Sequence, residues 1–473
     1  MQLLLTGVTG YIAKRLLPVL LSQGHEVYCC VRDRQRFNAL KYNSGNIRVI
    51  EVDFLKKETL DEIPESIDAA YYLIHSMSVS ISHFDELELE SARNFRQRME
   101  QTRVQQVIYL SGIVNEEKLS THLMSRKAVE EELNKGSYHL TTLRAGIIVG
   151  SGSASFEIMR DLVEKLPVMV APRWLNTRSQ PIAISNVIEF LQGCLFNVAT
   201  FDQNFDIGGP EILTYRQMLL QFAQVRGLKR HIFVVPVMTP KLSSYWLYFI
   251  TSTSYKLAAN LVDSMKVDVV CRPNELHKTL GISLIEYREA VKMAFDKIEQ
   301  REVVSSWTDA LSGKALDKGV LALINVPEHG TLRDERSMKI TEEDLVLKRI
   351  WTIGGKTGWY YADWLWELRG FMDKLAGGVG LRRGRRNPNE IEAGDSLDFW
   401  RVLLADQENK RLLLYAEMKL PGEAWLEFKI RDGVLYQTAT FRPLGLRGRA
   451  YWYSVLPLHF FVFGGMIRKI TKT

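Results

Sequence analysis

The first 22 residues carry the pattern that most limits what this chain can fold into. An apolar run at Leu3–Leu5 leads into the turn Gly7-Val8-Thr9-Gly10, and small Ala13 opens a segment with helical apolar spacing. This pattern predicts a strand, a glycine turn and a helix. Gly7 permits a tight turn, Gly10 permits close approach of a ligand, and Ala13 permits close packing of helix and strand. With this context on both sides, the motif predicts that the helix N-terminus faces the pyrophosphate of a dinucleotide.

Short apolar runs alternate with amphipathic segments through the first 150 residues. Six of these runs are predicted strands, namely 3–5, 26–31, 48–52, 69–74, 106–110 and 140–143. Segments such as 86–102 and 125–133 have helical periodicity between them. This alternation predicts an α/β fold with a doubly wound parallel sheet. Residues 151–300 continue with helices and loops and are predicted to form a small substrate lobe, so that 1–300 make one domain.

The character of the sequence changes after residue 300. Periodicity fades between 301 and 345, which predicts a linker. Residues 346–473 are rich in aromatic side chains and contain β-like runs separated by turns, which predicts a separate α+β domain with an antiparallel sheet. The runs are 396–404, 411–418, 424–430 and 435–441.

Composition narrows the function classes. A chain of 473 residues predicts two or three domains, and its charge of +6 permits an anionic cofactor or a membrane surface without requiring either. The nine histidines and four cysteines lack metal-ligand spacing, so no metal site is expected. Unpaired cysteine spacing and a start that leads directly into a strand predict a cytoplasmic protein without a signal peptide.

Candidate cofactor residues follow the predicted strands at their carboxyl ends. Arg32 follows the second strand, where a cation suits the 2′-phosphate of NADP, so NADP(H) is expected to be favoured over NAD(H). Asp33 keeps NAD open, and the charges of 32–34 are also typical of a solvated loop. The predicted pyrophosphate contacts are Gly7, Thr9, Gly10, Tyr11 and Ile12, and the later candidates are Asp53 and Phe54 at adenine, then Ile74, His75 and Ser111.

Over about residues 1–300 the chain resembles the atypical branch of the extended short-chain dehydrogenase/reductases. The likeness rests on Thr6-Gly7-x-x-Gly10-x-x-Ala13, Asp53, Ser111, Leu143-Arg144-Ala145-Gly146-x-x-x-Gly150, and Phe205-Asp206-Ile207-Gly208-Gly209-Pro210. The resemblance implies a Rossmann fold, NAD(P) binding and a substrate cleft beside the lobe. It also implies that Ser111, Lys127 and Arg144 face the nicotinamide, with Ala145 in the same cofactor set.

One departure from this family concerns its catalytic pair. Active members carry Tyr-x-x-x-Lys, with the tyrosine as general acid/base and the lysine on the nicotinamide ribose. Here Leu123 stands where the tyrosine is expected, and Lys127 keeps the lysine. Ser111 remains a candidate to polarise a carbonyl, and His122 or His75 is a candidate proton donor, although an exposed helix-start histidine is the simpler interpretation of His122.

The C-terminal region carries Ile353-Gly354-Gly355-x-x-Gly358-Trp359-Tyr360 and Gly394-Asp395-x-x-Asp398-x-Trp400 beside its predicted strands. On these motifs it resembles START-like, helix-grip domains, which implies a sheet around a long final helix and an apolar cavity. The tail 450–467 is an apolar stretch flanked by basic residues. Pro457 and Gly464 are among the residues that interrupt it, so burial across the sheet is predicted ahead of interfacial membrane contact or a membrane span. The arginine-rich run 381–386 is predicted to be a solvated loop, and no nucleic-acid partner is expected.

Three functions fit these observations. The first is an NAD(P)-dependent oxidoreductase or isomerase acting on an apolar or quinone-like substrate. The second is a sensor or scaffold that binds NAD(P)(H) without turnover, as the missing tyrosine indicates. The third is a carrier of a lipid or another hydrophobic ligand in the C-terminal domain, peripheral to a membrane.

Overall fold

The computed structural model describes residues 1–34, 37, 39–42, 44–74, 84–113, 121–235, 265, 267–299, 326, 331–375, 380, 390–443 and 445–472. The described residues up to Glu299 lie in one compact unit, and those from Val326 onward lie in a second.

A parallel sheet forms the centre of the first unit. The described strands of the first unit, which include those of the lobe, are β1 (Gln2–Leu5), β2 (Glu26–Val31), β3 (Ile47–Glu51), β4 (Ala69–Tyr72), β5 (Gln106–Gly112), β6 (His139–Ala145), β7 (Ile148–Val149), β8 (Val168–Pro172), β9 (Arg178–Ser179), β10 (Ile182–Ala183), β11 (Gln203–Ile207), β12 (Leu213–Thr214) and β13 (His231–Val235). Seven strands pair in the order β3-β2-β1-β4-β5-β6-β11, all parallel. The predicted doubly wound sheet is confirmed, and β11 is a seventh strand that the predicted set omits.

Helices cover both faces of this sheet. The described helices of the first unit, which include those of the lobe, are α1 (Ala13–Ser22), α2 (Phe84–Met99), α3 (Thr121–Leu133), α4 (Ala154–Lys165), α5 (Ile184–Gly193), α6 (Tyr215–Val225), α7 (Leu276–Thr279) and α8 (Tyr287–Glu299). Leu3 and Leu5 join the core beneath α1 and α5, whereas Leu4 joins the core beneath α2 and α3. Successive side chains of a strand point to opposite faces, so a continuous apolar run is what a sheet covered on both sides requires.

The described part of the lobe contains short strand pairs and a group of three packed helices. Strand β7 pairs with β10, β8 with β13, and β9 with β12. Helices α4, α6 and α8 meet through the rings of Phe156, Phe222 and Phe295, whose centroids lie 5.2 to 5.3 Å apart. The aromatic contacts give the lobe a core of its own beside the sheet.

An antiparallel sheet organises the second unit. Its elements are β14 (Leu332–Lys339), α9 (Glu343–Trp351), α10 (Asp363–Leu375), β15 (Ser396–Leu397), β16 (Trp400–Asp406), β17 (Arg411–Ala416), β18 (Gly422–Arg431), β19 (Val434–Pro443) and α11 (Gly445–Thr471). The six strands pair in the order β14-β19-β18-β17-β16-β15. The predicted antiparallel sheet is confirmed.

The predicted linker 301–345 is wrong over its last part. Strand β14 lies within it and pairs along its whole length with β19, from Leu332 opposite Phe441 to Lys339 opposite Val434. Its sequence, LRDERSMK, is dominated by polar residues and alternates between exposed and half-buried positions. An edge strand with one weakly buried face needs no strong apolar pattern, which explains why the sequence indicates a loop.

Helix α11 is continuous through Pro457 and Gly464, and its two halves have different surroundings. The C-terminal half contributes Val462, Phe463, Met466, Ile467 and Ile470 to the core of the second unit. The preceding half leaves several apolar side chains exposed. Burial across the sheet, predicted for the entire tail, therefore holds for the C-terminal half and, in the preceding half, for Trp452, whose ring stacks on Phe441 of β19 with centroids 5.7 Å apart. By length and composition Arg447–Thr471 is able to cross a membrane, and 39% of its apolar window is buried.

Candidate functional site

The glycine turn brings backbone close to backbone between β1 and α1. Gly7 has φ +63°, and a Cβ there would lie 2.6 Å from the carbonyl oxygen of Leu73. The Gly10 amide donates to the Gly7 carbonyl over 2.7 Å, and a Cβ on Gly10 would lie 2.9 Å from that same oxygen. Side chains at either position would fill the turn. Gly10 is exposed and Thr9 and Ile12 are partly so, which leaves this backbone accessible to a phosphate.

Tyr11 and Arg15 tie the glycine turn to the start of the lobe. The Arg15 guanidinium lies 4.1 Å from the centre of the Tyr11 ring and donates a 2.7 Å hydrogen bond to the Ser151 carbonyl. A Cβ on Gly150 would lie 2.5 Å from the Tyr11 hydroxyl, so this glycine gives the phenol its space. Burial raises the pKa of Tyr11 to about 12. The Tyr11 side chain thus braces the turn, and its contact with a pyrophosphate stays a prediction.

The candidates after β2 and β3 have different surroundings. Arg32 is exposed, although the surrounding protein atoms lower its pKa while the nearby Asp53 carboxylate opposes that shift. Asp33 is buried. Asp53 accepts from the Leu55 amide at 3.2 Å, whereas the Phe54 ring is buried 5.6 Å from Phe95. Arg32 is therefore accessible to a ligand. The Phe54 ring lies in the core, and the predicted contact of Phe54 with adenine stays a prediction that its backbone would have to fulfil.

Ser111 lies at the carboxyl end of β5 next to a cation that the sequence interpretation missed. Ser111 is buried beside Tyr109, whose pKa burial raises to about 12. The Arg126 guanidinium approaches this strand end, since a Cβ on Gly112 would lie 2.7 Å from its Nη1. Burial lowers the pKa of Arg126, and Tyr109 and Glu88 oppose that shift. An arginine stays protonated even so, so the strand end carries a fixed positive charge.

Lys127 does not share that position. Its side chain is 56% exposed, and its Nζ lies 3.9 Å from a carboxylate oxygen of Glu131 one helical turn further along α3. Consecutive helical residues point about 100° apart, so Lys127 and the neighbouring Arg126 face different directions. The contact of Lys127 with a ribose stays a prediction. His122 and Arg126 have the same four-residue spacing as the family's tyrosine and lysine, but each lies one residue earlier in the chain. This shifted pair is the sequence signal that could have identified Arg126.

The side chain of Arg144 pairs with a residue of helix α3. Its guanidinium forms two hydrogen bonds with Glu130 of α3, at 3.0 and 2.7 Å, and both side chains are largely buried. Ala145 is buried at the end of β6, and Ile74 is half-buried after β4. The pair Arg144–Glu130 holds α3 against the sheet, so the structure gives Arg144 a positioning contact in place of a free guanidinium facing the nicotinamide.

Several candidates lie outside the described residues. His75 is one of them, and so are the side chains of His122 and Leu123, although the backbone of both belongs to α3. The arginine-rich run 381–386 also falls outside. The proton donors considered from the sequence therefore stay predictions.

The fold and the glycine turn agree with comparisons to known proteins. Residues 7–155 match a family model described as NAD(P)H-binding. The first unit has the NAD(P)-binding Rossmann fold. The glycine turn, closed to side chains and open to solvent, fits the pyrophosphate of such a cofactor. Residues 328–466 match a second model, described as a protein of unknown function, DUF2867.

Individual relatives are distant. The photosystem II assembly factor Ycf39 of Trieres chinensis is 21% identical over 286 residues, which cover 60% of this chain and 88% of that protein. A nucleoside-diphosphate-sugar epimerase from Staphylococcus aureus has a TM-score of 0.51 at 13% identity, covering 62% of this chain and 100% of its own. The Bordetella bronchiseptica enzyme WbmG, solved with NAD, has a TM-score of 0.51 at 12% identity, covering 65% and 96%. These structures are similar in fold alone.

Proposed function

We propose that this chain is an NADP(H)-binding protein of the atypical short-chain dehydrogenase/reductase type that responds to its dinucleotide without tyrosine-dependent turnover. The observation that carries the proposal is Leu123 at the position where the family's tyrosine is expected. The family's acid/base pair needs a tyrosine and a lysine that share the nicotinamide ribose. Leu123 removes the tyrosine, and Lys127 is left without that partner, so a sensor or scaffold role is favoured.

Cofactor binding would rest on residues of the first unit. The backbone of Gly7, Thr9, Gly10 and Ile12 would hold the pyrophosphate, and Arg32 would face the adenosine 2′-phosphate. Arg126 would direct positive charge toward the nicotinamide end of the site. The bound dinucleotide supplies a hydride donor or acceptor.

A second candidate is an oxidoreductase or isomerase of an apolar or quinone-like substrate. It is favoured by the buried hydroxyl of Ser111 beside the fixed charge of Arg126, an arrangement able to polarise a carbonyl oxygen. His122 lies one helical turn before Arg126 in the chain and His75 follows β4, which keeps both as proton-donor hypotheses.

For the second unit we infer a START-like, helix-grip relationship, supported by the six-stranded antiparallel sheet and the long final helix. The rings of Trp359, Trp366, Phe399 and Trp400 pack on one another in its core, with centroids 5.0 to 6.4 Å apart. Such a filled interior favours a scaffold over a carrier of a large apolar ligand.

Calorimetric titration of the full chain with NADPH and NADH tests the cofactor assignment. NADPH is expected to bind more tightly, because a charge-assisted contact to the 2′-phosphate contributes about 1.5 to 3 kcal/mol, or about 10- to 150-fold. Arg32→Ala should abolish the preference, whereas Arg48→Ala, an exposed arginine paired with Glu26, should keep it. Equal affinity of the wild-type chain for both cofactors would contradict the role of Arg32.

Turnover separates the two candidate functions. The chain, saturated with NADPH, is mixed with quinones and small carbonyl compounds, and cofactor oxidation is followed by absorbance. A tyrosine-based general acid is typically worth about 100- to 10,000-fold, so oxidation is expected to be very slow or absent. Rapid oxidation that depends on Ser111 would overturn the sensor role and establish the oxidoreductase.

A further inference from the structure

Helix α10 exposes an apolar stripe. Trp364, Leu368, Phe371, Met372 and Leu375 are between 47% and 62% exposed and follow one another at helical spacing. The opposite side of the helix is buried and carries Trp366, Gly370 and Asp373. Asp373 accepts hydrogen bonds from the amides of Gly380 and Lys419, at 2.8 and 2.6 Å. These buried contacts fix the helix with its apolar stripe outward.

The N-terminal half of α11 adds a second set of exposed apolar side chains. Tyr453, Leu458, Phe460 and Phe461 are between 48% and 66% exposed. The core contacts of Phe463 and Met466 fix this half as well, because one continuous helix carries both. The exposed residues are thus held outward by the packing of the same helix.

The two sets join at Tyr361, which lies just before α10. The Tyr361 ring centroid is 5.1 Å from that of Phe461, and Trp366 meets Phe463 at 5.9 Å. Residues 364–375 and 453–461 therefore border one another, and their nine exposed apolar side chains are named here the apolar face. Soluble proteins rarely expose an apolar surface of this extent unless it meets a partner.

Charges around the apolar face favour one kind of partner. Arg447 and Arg449 are exposed at the start of α11, and the sequence has no charged residue between 450 and 467. Asp363 and Glu367 are the exposed acids of α10, and Asp363 already accepts from the Trp359 amide at 2.7 Å. Apolar and aromatic side chains beside exposed arginines match the interface of a bilayer with anionic headgroups.

We propose that the apolar face docks the second unit on the surface of an anionic membrane, with α10 and the first half of α11 in the headgroup region. Trp364, Phe371 and Phe460 would enter the boundary between headgroups and acyl chains, and Arg447 and Arg449 would meet lipid phosphates. The helix lies in the interface and does not span the bilayer, because its C-terminal half belongs to the protein core. This surface is independent of the dinucleotide site.

Vesicle co-sedimentation of the full chain tests this proposal. Binding is expected to vesicles of phosphatidylcholine with phosphatidylglycerol, to be weaker on phosphatidylcholine alone, and to fall at high salt because screening weakens the arginine contacts. Leu368→Ser combined with Phe371→Ser should reduce the bound fraction at least about tenfold. Both positions are exposed, so the melting temperature should stay unchanged.

A matched control lies in the first unit. Phe233 is 60% exposed on β13, and Phe233→Ser should leave vesicle binding unchanged. Light scattering reports the alternative occupant, a second copy of this chain. A wild-type chain that fails to sediment with anionic vesicles overturns the proposal. Vesicle binding that the double substitution leaves intact also overturns it. So does the finding that the chain forms a dimer, which the double substitution dissociates, and does not bind vesicles.

Discussion

At the residue scale, one step along α3 separates a buried cation from an exposed one. Arg126 approaches the end of β5 that carries Ser111, while the exposed side chain of Lys127 lies 3.9 Å from Glu131. An arginine cannot replace a lysine in lowering the pKa of a nearby tyrosine without changing geometry, since its planar group has fixed donor directions. The site is consequently suited to holding charge near a cofactor more than to moving a proton.

Neighbouring substitutions on α3 distinguish these two cations. Arg126→Met should weaken NADPH binding about 10- to 100-fold, because a charge-assisted contact to the cofactor is lost. Lys127→Ala should change the affinity by less than about threefold, because exposed ion pairs contribute little. Calorimetric titration with NADPH measures the affinity of both variants. A larger loss of affinity in Lys127→Ala than in Arg126→Met would assign the cofactor contact to Lys127.

Gly10 offers a second test at this scale. Gly10→Val should weaken NADPH binding at least about 100-fold, equivalent to about 2.8 kcal/mol, because the side chain fills the space that a pyrophosphate needs. Gly45 is the control, since a Cβ there meets nothing within 4 Å and Gly45→Ala should bind normally. Normal binding by folded Gly10→Val, judged by circular dichroism, would move the phosphate site elsewhere.

Sequence alone could predict the glycine turn because its requirements are local. Gly7 and Gly10 are needed for backbone reasons that their neighbours already reveal, and the strands are visible as apolar runs. The direction of Arg126 could not be predicted in this way. It depends on the rotation of α3 on the sheet, which distant contacts such as Arg144–Glu130 set. The burial of Phe54 against Phe95 depends on tertiary packing for the same reason.

At the scale of elements, α11 combines a core segment and an exposed segment in one helix. The sequence predicts an apolar tail but cannot divide it, because Phe461 and Phe463 are chemically identical and differ only in which side of the helix they occupy. Strand β14 is the opposite case, an element with little apolar character that pairing with β19 creates. In both elements the local apolar pattern of the sequence is insufficient to predict which residues the fold buries or pairs.

Two substitutions in α11 measure this division. Met466 is fully buried, and Met466→Ala should lower the free energy of unfolding by about 2 to 5 kcal/mol. Leu458 is 50% exposed, and Leu458→Ala should change it by less than about 0.5 kcal/mol. Urea unfolding followed by tryptophan fluorescence compares them. Equal effects would mean that the whole helix lies in a core.

At the scale of the whole molecule, the chain consists of two units with separate cores. The described candidates for dinucleotide binding, from Gly7 to Ala145, lie in the first unit. The apolar face belongs to the second. A single chain thus joins the proposed site for a soluble anionic cofactor to the surface that we propose docks on an anionic membrane.

A fragment of residues 1–299 should bind NADPH with the affinity of the full chain, because every described candidate residue for cofactor binding belongs to the first unit. Calorimetry on the purified fragment measures this, and Gly10→Val in the fragment is the control. A folded fragment that loses affinity would mean that the second unit completes the cofactor site.

Strand β14 has a consequence for the behaviour of the protein in concentrated solution. It forms the edge of the second sheet, and its exposed side chains include Arg333, Glu335 and Lys339. Mixed charges along an edge discourage strands of other copies from adding to the sheet and seeding fibrils. A protein that displays large apolar side chains on α10 and α11 has a particular need for such protection, because accidental encounters between copies then stay brief and reversible.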